Sequence, residues 1–291
     1  MKVLVLGGTA DARKVVEAVY DAGICSRESN AANSLVYSIA GLVRMPNVPC
    51  EVVSGGFSQF GGLAAYVKAQ SIGGIMDITH PFTERMSITA LAVSKALGLP
   101  YARFQRPEWQ QKQGDDWQLF QSWSDIVASI ASRLGDYSDK SRSDNYSSIL
   151  ITVGQLTQHE LDRLIQILAM NQNEIKPRRI VLRTAVEPRA TLPESVEWIK
   201  AIGPFAYSDE LALMQRLGTD VLISKNSGGE ATQAKLDVAR DLGLTVMMIQ
   251  RPVLLETPKV DLSFESIETC VNQLKNWFET NNDLGEAVYA I

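Results

Sequence analysis

Short apolar runs rich in Val, Ile and Leu recur along this chain, each closed by glycine or a polar residue and followed by apolar positions at helical spacing. Met1 to Leu6 is the first such run, and Ala10 to Tyr20 carries the first helical pattern. Val36 to Ala40 and Cys50 to Ser54 read as the next two strands. Leu63 to Ala69 reads as a helix, Gly74 to Thr79 as a buried strand, and Thr83 to Leu97 as a helix that stops at Gly98 before Pro100. Tyr101 to Phe104 and Trp117 to Gln121 follow as strands, with a helix over Ser124 to Leu134. Further strands are expected at Ile149 to Val153, Arg179 to Arg183, Val196 to Ile199, Val221 to Ser224 and Thr245 to Ile249. The helices among them are expected at Gln158 to Met170, Ser208 to Leu217, Ala231 to Leu242 and Phe264 to Phe278. Strand and helix alternating in this way predict an α/β chain with mostly parallel sheets.

The pattern loosens after Arg106-Pro107. Glu108 to Asp116 is polar, and Gly135 to Ser148 has almost no aliphatic residue, which predicts a mobile insertion. Two similar α/β domains follow, 1–112 and 113–291, the second carrying the insertion at 135–148.

Composition narrows the class. Hydrophobic residues make up 45% and charged residues 21% of the 291, the balance of an ordinary globular protein. No apolar run approaches the ~20 residues that a bilayer span needs, and the N-terminus lacks a signal-peptide pattern, so no membrane partner is expected. Cys25, Cys50 and Cys270 are odd in number and far apart, which gives neither a disulfide framework nor a metal-ligand spacing. A cytoplasmic protein without a metal site is the simplest reading. A net charge of −5 argues against nucleic acid as the main partner.

Candidate chemistry sits where predicted strands end. Gly7-Gly8-Thr9 follows the first strand and leads into a helix with Asp11 and Arg13 in its first turn. Such a turn brings backbone amides and the positive end of a helix dipole to an anion, though a plain strand-to-helix turn uses glycine too. A dinucleotide enzyme that uses NAD often has an acid at the end of the second strand. Here Gly41 and Arg44 occur instead, which favours NADPH, with NADH possible and a loop arginine as the alternative. Asp77-Ile78-Thr79-His80-Pro81-Phe82 ends a central strand; His80 either moves a proton or, with Thr79, caps the next helix. Arg85, Arg103 and Arg106 lie near the same edge, where guanidinium forks suit carboxylates. In the second half, Lys225, Asn226, Ser227, Gly228 and Gly229 form another anion-suited turn. It lacks the pattern of an ATPase phosphate loop.

Leu6 to Arg13 (L-G-G-T-A-D-A-R), Ser38 to Gly41, Gly55 to Phe57, Asp77 to Phe82 (D-I-T-H-P-F), Arg103 to Pro107, Gly203 to Phe205 and Ser224 to Gly229 (S-K-N-S-G-G) together resemble the precorrin-6A reductase family of cobalamin biosynthesis, including its cobalt-precorrin-6A branch. The resemblance implies two Rossmann-like domains with an interdomain cleft. It implies hydride transfer from a nicotinamide cofactor to one double bond of a polycarboxylated tetrapyrrole, giving precorrin-6B. Gly7, Gly8, Thr9, Asp11, Arg13, Gly41 and Arg44 would then hold the cofactor, and Thr79 and His80 would be catalytic. Arg85, Arg103, Arg106 and Lys225 to Gly229 would hold the substrate. The chain departs from the family's A-G-R at Leu42, with Arg44 two residues on. Two other readings stand beside this one: a nicotinamide-dependent oxidoreductase or epimerase of small carbonyl compounds, and a non-enzymatic nucleotide-sensing module. Tyr66 and Tyr101 lack a lysine four residues later, which counts against the first.

Overall fold

A computed structural model describes residues 1–26, 32–41, 45–135, 147–170, 179–252 and 263–288. The chain opens with β1 (Lys2–Leu6), α1 (Ala10–Asp21), β2 (Ser34–Ile39), β3 (Glu51–Ser54), α2 (Leu63–Ala69), β4 (Ile72–Asp77), α3 (Glu84–Leu97) and β5 (Tyr101–Phe104). It continues with β6 (Asp116–Phe120), α4 (Trp123–Gly135), β7 (Ser148–Ile151), α5 (Gln158–Met170), β8 (Arg179–Thr184) and β9 (Val196–Lys200). Next come α6 (Tyr207–Leu217), β10 (Val221–Lys225), α7 (Ala234–Asp241), β11 (Thr245–Ile249), β12 (Ser263–Phe264) and α8 (Ile267–Val288).

The chain divides into two compact units, one of Met1–Pro107 with Val253–Ile291 and one of Glu108–Pro252. Sequence reading had split the chain near residue 112 and left its whole C-terminal part in the second domain. The difference comes from Phe264, expected to begin a helix but placed in β12, where Ser263 and Phe264 pair with Arg103 and Phe104 of β5. The α8 helix then packs against α1, and Cys270, Leu274, Trp277 and Phe278 join the first unit's core. Of the segment expected as an insertion, residues 136–146 lie outside the described residues.

In unit 1 the strand order is β3-β2-β1-β4-β5-β12, and its pairings among the described residues are all parallel. This is the doubly wound order in which the direction of strand addition reverses between the first and fourth strands. Alternation along β1 fills both faces of the sheet. Val3 and Val5 meet the valines of α1 on one side, while Leu4 and Leu6 meet Leu63, Val67 and Ala90 on the other. Unit 2 repeats the plan as β9-β8-β7-β10-β11, but its sixth position is filled by β6, which precedes the others in the chain. Leu150, Val181, Leu222 and Val246 bury one face against Met214 and Leu217 of α6 and Leu236 and Val238 of α7. No helix among the described residues is long and apolar enough to cross a membrane.

Candidate active site

The carboxyl ends of β1 and β4 meet where the first sheet reverses its order. Thr9 ties the two ends together. As the N-cap of α1, its hydroxyl accepts the Ala12 N–H at 3.1 Å and donates to the Ile78 carbonyl just beyond β4 at 2.9 Å. A cap of this kind stabilises a helix by about 1 kcal/mol. Here it also fixes the height of the glycine turn against β4. Gly8 has φ +98°, and a Cβ built there would meet nothing within 4 Å, so the turn is open above its backbone. Gly7 is small for a different reason, since a Cβ there would lie 2.3 Å from the Tyr37 ring. Tyr37, from β2, also accepts the Gly8 N–H on its hydroxyl at 3.0 Å. Amides of the first α1 turn and an open Gly8 fit the phosphates of a dinucleotide.

At the end of β4, Asp77 is fully buried and holds four groups of three residues. Its Oδ1 accepts the Thr79 N–H at 3.0 Å and the Thr79 hydroxyl at 2.7 Å. Its Oδ2 accepts the Tyr101 hydroxyl at 2.9 Å and lies 3.9 Å from Arg103 Nε. Burial, with the Asp77 charge beside it, raises the Tyr101 pKa. His80 follows, half-buried, its Nδ1 accepting the Phe82 N–H at 3.3 Å; in the neutral ring that places the proton on Nε2. The Thr83 N–H also bonds the His80 carbonyl, so His80 shapes the entry to α3.

Arg103 and Arg106 face different carboxylates. Arg103 is 4% exposed and faces Asp77. Arg106 Nη1 lies 2.6 Å from Asp11 Oδ2 at the start of α1, so it joins the helix end expected to hold a cofactor. Burial lowers the Arg106 pKa, opposed by the Asp11 charge. Arg85 and Arg13 are exposed in the first turns of α3 and α1. Gly41 is exposed beyond β2, and Arg44 lies outside the described residues.

In unit 2 the Lys225 to Gly229 turn begins at the last residue of β10 and is largely buried. Asn226 clamps the chain near the start of that unit. Its Oδ1 accepts the Trp109 N–H at 2.9 Å, and its Nδ2 donates to the Trp109 carbonyl at 3.1 Å. Arg251 donates to the carbonyls of Asn226 and Ser227 at 3.0 and 3.1 Å. Gly228 turns at φ +69° and Gly229 precedes a single helical turn. Burial lowers the Lys225 pKa, opposed by Glu160. Sequence reading had passed over Lys235 of α7, which is 5% exposed, with Nζ 3.2 Å from Thr152 Oγ1 and 5.4 Å from the centre of the Trp109 ring. Burial, with the Arg183 charge, pushes it down to about 7. Arg183 pairs with Glu210 at 2.5 Å and lies over Phe205 at 4.4 Å.

Asp77, Tyr37 and Lys235 were thus missed as site residues, although an acid closing the otherwise apolar G-G-I-M-D run was a readable sign. His159 is exposed. Among the described residues no group of three or more His, Cys, Asp or Glu could hold a metal ion.

The sequence matches the family described as Precorrin-6x reductase CbiJ/CobK over residues 2–275. A precorrin-6A reductase of Rhodococcus erythropolis is 34% identical over 255 residues, 87% of this chain and 90% of that one. A cobalt-precorrin-6A reductase of Priestia megaterium is 25% identical over 281 residues, 94% of this chain and 100% of the other. The solved structure of a CobK precorrin-6A reductase matches with a TM-score of 0.73 at 25% identity, covering 95% of this chain and 96% of that chain.

Proposed function

Since the chain belongs to the precorrin-6x reductase family and is an oxidoreductase of cobalamin biosynthesis that reduces precorrin-6A, we propose that its hydride donor binds at the β1–β4 end of unit 1. The observation that carries this is the open Gly8 turn, joined through the Thr9 hydroxyl to the end of β4 at the reversal of strand order. A nicotinamide dinucleotide supplies the hydride for the macrocyclic double bond that becomes saturated in precorrin-6B. NADPH is the preferred form, because no acid closes β2 at Ser38-Ile39 or follows at Ala40-Gly41.

The residues of unit 1 take distinct parts in this reading. The pyrophosphate lies over Gly7, Gly8 and Thr9, with amides of the first turn of α1 as donors. Arg106 neutralises Asp11, which would otherwise repel phosphate, and Arg13 adds a second cation to that turn. Asp77 fixes the Thr79 hydroxyl and backbone, and so orients the strand end that His80 continues. A proton must accompany the hydride, and an imidazole is the side chain suited to supply one near neutral pH. Arg85 remains a candidate for substrate carboxylates. In unit 2 the lysines Lys225 and Lys235 give the strand ends a character that suits a polycarboxylated tetrapyrrole. The three free cysteines fit a reducing cytoplasm. Greater identity to the precorrin-6A relative than to the cobalt relative favours a metal-free substrate.

Turnover of precorrin-6A and of its cobalt form with each nucleotide, followed by loss of reduced-nicotinamide absorbance, tests the reading. The expected result is reduction of the metal-free substrate with NADPH ahead of NADH. Turnover of neither substrate would overturn it, and a preference for NADH would overturn the reading of the β2 end.

A further inference from the structure

Resting on the dinucleotide reading of unit 1, we propose that the Tyr37 hydroxyl is a direct donor to the cofactor's pyrophosphate. Tyr37 rises from β2 into the glycine turn, and the residue is only 1% exposed. Its oxygen accepts the Gly8 N–H at 3.0 Å. A phenol both accepts and donates, and among the described residues this hydroxyl has an acceptor for none of its own hydrogen-bonding proton. A buried donor left without a partner is costly, so its proton points to an acceptor that arrives from outside the chain. The contact with Gly7 supports the same conclusion. The Gly7 Cβ position lies 2.7 Å from the Tyr37 oxygen, so glycine there makes room for the phenol head beside the turn. The Gly8 amide, aimed at Tyr37, is then not itself a phosphate donor. The hydroxyl takes over that task one bond further out. Burial raises the Tyr37 pKa, and the Gly8 hydrogen bond and the Arg13 charge oppose that rise.

The pyrophosphate is isolated from the rest of the cofactor by using ADP-ribose as the probe, which lacks both the nicotinamide and the extra phosphate. Tyr37→Phe keeps the ring over Gly7 and removes only the hydroxyl. A hydrogen bond to a charged acceptor predicts about tenfold or greater weakening of ADP-ribose binding, with the thermal midpoint of the unliganded protein little changed. Wild-type affinity in the variant would overturn the proposal, whether or not its midpoint falls. If the variant fails to fold, fluorotyrosine-labelled wild-type protein gives the answer by fluorine NMR. One of its eight tyrosine signals should move with ADP-ribose and stay still with adenosine; no movement with ADP-ribose would overturn the proposal. Wild-type protein that does not bind ADP-ribose at all would fail the dinucleotide reading itself, and the proposal with it.

Discussion

The two units order their strands alike, yet the ends of their central strands carry opposite charge. In unit 1 the last residue of β4 is the buried anion Asp77, satisfied by Thr79, Tyr101 and Arg103. In unit 2 the last residue of β10 is Lys225, and the helix beyond it carries the buried cation Lys235. Strand order places a ligand crevice in both. Charge decides what each can receive. An anion hub under neutral amides holds a hydroxyl and a backbone in place without drawing phosphates away from the helix end. Lysines at a strand end are suited to carboxylates. One topology used twice therefore says where to look, while the side chains at the ends of the fourth strands say for what.

The strongest way to break this contrast is Asp77→Ala. It leaves Arg103 buried without its carboxylate and Tyr101 without an acceptor, which should cost about 3–5 kcal/mol in denaturant unfolding. A loss below about 1 kcal/mol would mean that Asp77 is not the hub described. Lys235→Met probes the opposite pole. The unfolded lysine keeps its proton to the ordinary value of 10.5, whereas the folded one releases it near 7. Between those values the unfolded chain binds more protons, so wild-type stability should rise with pH, by at most about 1.4 kcal/mol per pH unit from this group. The methionine variant should lack that slope and exceed wild type below pH 7, as measured by unfolding across a pH series. An unchanged slope would remove Lys235 as its source. The smallest effect is expected from Arg106→Met, which should raise the KM for the nucleotide several-fold and leave the KM for precorrin-6A alone. The reverse pattern would return Arg106 to the substrate.

Local pattern made much of the architecture readable. The α2 and α5 spans, β5 and β11 fall where periodicity puts them. Both glycine turns were visible because glycine after an apolar run is a local feature. What escaped depends on partners far along the chain. A two-residue strand such as β12 has no period of its own and exists through its pairing with β5. Tyr37 looks like one more apolar strand residue until Gly7 and Gly8 lie beside it. Arg103 and Arg106 suggested a single carboxylate patch because sequence shows cations but not the buried Asp77 and the half-buried Asp11 that face them. The Asn226 amide likewise looked available for a ligand until the Trp109 backbone was found on both its ends.

The pairing of β5 with β12 also sets a timetable for synthesis. All of unit 2 is made between those two strands, so a nascent chain must carry β5 with an open edge while that unit emerges. At ordinary elongation rates the delay is on the order of ten seconds. An unpaired edge is a template for wrong partners, and for that interval the growing chain depends on how quickly unit 2 folds out of its reach.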